Sequence, residues 1–89
     1  MNKQQRKRIN DAIRVIQGAY DALDQVYGEL DAIKEEEQEK YDNLSEGLQE
    51  SEMGETMQAA IDTLDEACSD LESARDEVET TYRNLEELL

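Results

Sequence analysis

Residues 9–30 read INDAIRVIQGAYDALDQVYGEL, and their apolar side chains Ile9, Ile13, Ile16, Tyr20, Leu23, Tyr27 and Leu30 recur at alternating steps of four and three. Such a rhythm draws one stripe along a helix and is the a and d seam of a left-handed helix pair. A second row, Ala12, Ala19, Val26 and Ile33, repeats every seven residues at the neighbouring g position and widens the stripe. One helix face therefore asks for two neighbours.

The second half follows the same rhythm through Met57, Ala60, Leu64, Ala67, Leu71, Ala74, Val78, Thr81, Leu85 and Leu88. Its flank, at e, is Ile61, Cys68, Tyr82 and Leu89, with Arg75 interrupting the row. Between the halves, residues 42–51 (DNLSEGLQES) are rich in turn formers, with Ser51 a candidate N-cap for the second helix and Asn43 a candidate cap for a short helical turn before it. The expected fold is all-α: a single domain over 1–89, a coiled-coil-like antiparallel hairpin with helices at 4–41 and 52–89 and a loop at 42–51. Arms of equal length would fold back fully, and the alanines would let them approach at the close end of the ~8–10 Å range for packed helices.

Two helices share only one contact. Val26, Ile33, Ile61, Cys68 and Tyr82 are therefore expected to stay wet in a lone hairpin and to form the interface of a homodimeric four-helix bundle. A chain of 89 residues lies in the size range where one core is marginal, which favours a second subunit.

Composition narrows the function classes. Charged and hydrophobic residues each make up 37% of the chain, and Pro, Trp, Phe and His are absent, a profile of helices with wet outer faces rather than of sheets. One cysteine excludes an internal disulfide framework and fits a reducing compartment. No signal-peptide core and no membrane-length apolar run is present, so the expected location is the cytoplasm. The net charge of −15 is uneven: Lys3, Arg6, Lys7, Arg8 and Arg14 against Asp11 give residues 1–20 a sum of +4, leaving −19 for the remainder. Such a surface repels phosphate backbones and steers basic proteins toward it. Folding back would set the basic start beside Glu77, Glu79, Glu86 and Glu87.

No constellation with catalytic spacing appears, and no enzyme activity or cofactor is expected. Asp42 and Gly47 have the spacing of the first ligand and central glycine of a calcium loop, but Leu44 and Met53 stand where further ligands are required, so a solvated turn is expected and no metal. Glu35, Glu36, Glu37 and Glu39 read as a wet helix face, since nothing around them would shift a carboxylate for acid–base work. Cys68 has no histidine to activate it and reads as a small buried hydrophobe, with a dimer-bridging thiol as the alternative. Gly18 and Gly28 fall on the outer face, either as tolerated drift or as a flattened patch a partner backbone could approach.

At the loop end, Lys34 and Glu37 break the seam before Tyr41, Leu44, Leu48, Met53 and Met57 restore apolar character, among eleven acids against Lys34 and Lys40 over residues 29–55. The cluster either plugs the end of the hairpin or forms an apolar anchor ringed by acids, as a hot spot for a basic protein groove would. In the second reading the contacts are Tyr41, Leu44, Leu48, Met53, Glu46, Glu50, Glu52 and Glu55.

The stretch from Lys40 to Glu55, KYDNLSEGLQESEMGE, resembles a signature of small uncharacterised acidic helical-hairpin proteins of bacteriophages and prophages. Their loop reads Tyr or Phe, Asp-Asn, Leu or Met, Pro-Glu, then Leu-Gln and Ser-Glu-Arg. Ser45 and Met53 depart from the Pro and the Arg. The resemblance implies origin and fold and assigns no activity. By analogy alone, small acidic phage proteins include inhibitors that occupy the basic nucleic-acid channels of host defence enzymes. The leading expectation is thus a non-enzymatic module binding a basic protein, such as a host nuclease, and the alternative is a structural scaffold or spacer. Direct DNA or RNA binding through Lys3, Arg6, Lys7 and Arg8 is a third, disfavoured reading.

Overall fold

The computed structural model describes residues 1–89 as helix α1 (Lys3–Asp42), a single turn α2 (Glu46–Gln49) and helix α3 (Glu52–Glu86). Asn2 starts α1 with a capping box: its side-chain oxygen accepts from the Gln5 amide at 2.8 Å, and Gln5 Oε1 accepts from the Asn2 amide at 3.1 Å. Nothing interrupts the 40 residues of α1, because proline is absent and neither Gly18 nor Gly28 leaves helical geometry. At the other end α3 stops at Glu86, three residues short of the expected arm. The helices pack against each other as an antiparallel all-α hairpin, a rod of 68 × 14 × 14 Å.

Burial corrects the reading of α3. Its most buried side chains are Ile61, Cys68 and Tyr82, at 6, 4 and 8% exposure, so these residues lie inside the single hairpin instead of flanking it. The seam runs Met57, Ile61, Leu64, Cys68, Leu71, Arg75, Val78, Tyr82 and Leu85, while Ala60, Ala67, Ala74 and Thr81 form the flank. Both phases share Met57, Leu64, Leu71, Val78 and Leu85, so spacing alone cannot separate them. Size decides: turning Ile61 and Tyr82 inward removes far more apolar area from water than turning Ala60 and Thr81 inward. Tyr82 meets Tyr20 edge-on across the seam, ring centroids 6.3 Å apart at 85°. On α1 the expected seam holds, with Ile13 4% exposed, and Val26 and Ile33 remain outside at 44 and 41%.

The phase of α3 makes the two sides of the rod unlike. In an antiparallel pair g faces g and e faces e. The g side carries Ala12, Ala19, Val26 and Ile33 opposite the alanine row, and a groove there joins Val15, Ile16 and Ala19 to Val78, Thr81 and the acidic Glu77. The e side is polar: Arg75 Nη1 donates to Asp24 Oδ1 at 2.7 Å, and Lys34 Nζ donates to Asp65 Oδ1 at 3.2 Å while lying 3.3 Å from Asp31.

Those cross-helix pairs also fix the stagger. With Arg75 level with Asp24, Glu86 at the end of α3 comes level with Ile13. The first turns of α1 therefore project beyond α3 by about 15 Å, at 1.5 Å per residue. The expected charge match at the open end does not form: Lys3, Arg6, Lys7, Arg8 and Arg14 are exposed and enter no ion pair, and Arg83 pairs instead with Glu79 on its own helix at 3.6 Å.

Candidate partner-binding surface

The loop end is a built structure. The Asn43 amide donates to Glu39 O at 3.1 Å and closes α1, so Asn43 ends that helix and does not start α2. Ser45 starts α2, its Oγ accepting from the Leu48 amide at 3.3 Å. The expected cap of α3 is present: Ser51 Oγ accepts from the Gly54 amide at 3.4 Å and donates to the Leu48 carbonyl. Gln49 ties the turn back to α1, its Nε2 donating to the Tyr41 carbonyl at 3.0 Å. Gln49 on the Tyr41 carbonyl and Ser51 on the Leu48 carbonyl thus hold α2 between the two long helices.

Gly54 is the residue that spacing did not single out. It is buried, and a β-carbon there would stand 2.1 Å from the Gln49 carbonyl oxygen and 2.6 Å from that of Leu48. Its φ is ordinary, so the requirement is for space and not for a left-handed backbone. A glycine three residues after the capping serine is the signal that could have marked it.

With the turn held this way, Tyr41 and Leu44 are half-buried and plug the hairpin, while Leu48 and Met53 are 46 and 48% exposed. Glu46, Glu50, Glu52 and Glu55 are exposed and enter no ion pair. Three of them have a local role: Glu46 lies in the first turn of α2, and Glu52 and Glu55 in that of α3, where a helix dipole favours negative charge. Of the two nearby cations, Lys34 is committed to Asp65 and Asp31, whose hydrogen bonds raise its pKa above 10.5. The end of the rod thus stays strongly negative around two half-exposed apolar side chains.

Gly47 sits inside α2 without the sharp turn of a calcium loop, and no group of three or more Cys, Asp or Glu side chains is placed to hold a metal ion. Of the residues expected at a dimer interface, the hairpin keeps Ile61, Cys68 and Tyr82 for itself and leaves only Val26 and Ile33. No helix is long and apolar enough to cross a membrane. The chain matches no family model, no curated protein and no solved structure.

Proposed function

We propose that this chain is a non-enzymatic protein-binding module that engages a basic protein through the tip of its hairpin. The observation that carries the reading is the exposure of Leu48 and Met53 on a turn pinned by Ser45, Gln49, Ser51 and Gly54, amid unpaired Glu46, Glu50, Glu52 and Glu55. A rigid apolar anchor binds at lower entropic cost than a loop that must be ordered first. The surrounding acids add attraction to a cationic groove and repel anionic competitors. In its most specific form, resting on the analogy with small acidic phage inhibitors alone, the partner is a host nucleic-acid-processing protein whose phosphate-binding channel the acidic tip occupies.

A second reading is favoured by shape: a rod 68 Å long and 14 Å across suits a spacer or assembly scaffold, whose acids would only keep it in solution. Capture from bacterial lysate with immobilised wild-type protein and with a Leu48→Ser, Met53→Ser variant separates them. The module reading expects one stoichiometric basic protein on the wild type and its loss from the variant, with helicity unchanged. Equal capture by both would reject the tip as the binding site.

A further inference from the structure

The side of the rod bearing Val26 and Ile33 has no partner within the hairpin. Val15, Val26 and Ile33 are 75, 44 and 41% exposed, all on the g and c rows of α1. The chain exposes 6503 Å², whereas a folded monomer of its mass exposes roughly 5,300 Å². A strip as wide as the 14 Å rod and as long as α3, about 50 Å, would cover about 700 Å², close to the ~800 Å² each partner contributes to a standard interface.

Charge identifies the occupant and its direction. Residues 1–12, which project past α3, carry Lys3, Arg6, Lys7 and Arg8 against Asp11, a sum of +3 with no ion pair, while residues 29–55 sum to −9. A second copy laid face to face with the loops at the same end would stack −9 on −9. Laid the opposite way, it sets each basic overhang on an acidic arm, and the pairing is self-complementary about a two-fold axis.

We infer that two copies pack through this face, α1 against α1, antiparallel about a two-fold axis near Ala22. In the register that superimposes α1 on its own reversed image, Ala12 falls opposite the partner subunit's Ile33, and Ala19 opposite the partner subunit's Val26. Small residues thus receive large ones at these two layers, the condition for interdigitated packing at a helix contact, while Val15 comes beside the partner subunit's Glu29. Arg8 falls beside the partner subunit's Glu36, and Lys3, Arg6 and Lys7 lie along the acids near the end of that helix. Residues beyond Leu44 extend past the overlap, so the dimer presents one free tip at each end. A partner with two sites at matching separation would be held by both, with the gain in avidity that linkage provides.

Two measurements on the full chain test this. Light scattering should give twice the 10.2 kDa chain mass, and Val26→Glu with Ile33→Glu should halve it without loss of helicity, since both residues are exposed in the lone hairpin. In a Cys68→Ala background, Ala22→Cys should form a disulfide-linked dimer on mild oxidation, whereas Gly28→Cys, on the outer face, should not. A concentration-independent monomer would overturn the inference. So would a dimer unaffected by the two glutamates, or one in which Ala22→Cys fails to cross-link, as pairing with loops together requires.

Discussion

Arg75 places its guanidinium inside the seam and donates from Nη1 to Asp24 Oδ1 at 2.7 Å across the two helices, 5.3 Å above the Tyr27 ring. One seam position of α3 is thus a cation that hydrogen-bonds across to α1, with Asp76 of its own helix 3.7 Å from Nε. A polar group in an apolar seam commonly fixes register at some cost in stability, and that cost is visible here, because the buried Arg75 Nε has no hydrogen-bond partner.

Replacing Arg75 with Met should therefore leave the melting temperature unchanged or raise it. Replacing it with Glu, which sets two acids against each other, should lower it, and Asp24→Arg in the same chain should recover part of the loss. Thermal melts of the wild type, Arg75→Glu, Asp24→Arg and the double variant give the coupling. If Arg75→Glu melts with the wild type, the pair does not fix the hairpin.

The phase of α3 is tested by neighbouring residues. Ile61→Ala empties a seam position and should cost about 2–4 kcal/mol, whereas Ala60→Ser, on the flank, should stay within about 0.5 kcal/mol. Urea denaturation reads both, and equal losses would contradict the burial pattern. Cys68 should likewise react slowly with a thiol reagent until the chain is unfolded.

Glycines should divide by space. Gly54→Ala drives a methyl group into the Gln49 carbonyl and should destabilise by about 1–3 kcal/mol, as overpacking does. Gly18→Ala and Gly28→Ala meet nothing within 4 Å and should stabilise by up to about 1 kcal/mol each. Equal effects at all three positions would show that α2 does not press on α3.

Alkali should loosen the hairpin. Partial burial, with Glu79 nearby, raises the Tyr20 pKa above 10.0, and hydrogen bonds to Asp65 and Asp31 raise that of Lys34 above 10.5. Each group holds its proton more tightly folded than unfolded, so the stability these two groups contribute is level below pH 10 and falls as pH rises past the two ordinary values. Melting temperatures that stay constant from pH 9 to 11 would contradict the contacts of both side chains.

The hairpin was legible because in α1 the larger Ile13, Tyr20 and Tyr27 outweigh Ala12, Ala19 and Val26 of the competing phase, and because Ser51 is a strong cap ahead of a periodic run. In α3, Ala60 and Ile61, or Ala67 and Cys68, satisfy the rhythm equally, and only volume against a facing helix separates them. The stagger was hidden for a related reason: arms of similar length do not reveal that Arg75 and Lys34 lock to Asp24 and Asp65, leaving the basic turns of α1 uncovered. At the tip, the apolar and acidic residues were all visible, but not that Tyr41 and Leu44 turn inward while Leu48 and Met53 remain outside. That division depends on Gly54, whose importance arises from a carbonyl five residues earlier in the chain.

The most direct test of the tip as a binding surface is the affinity of one captured basic partner for the wild type and for the Leu48→Ser, Met53→Ser variant, titrated side by side with helicity checked. Hot-spot side chains contribute upward of 1 kcal/mol each, so removing two should weaken binding about tenfold or more. Unchanged affinity in a variant that keeps its helical content would contradict the account.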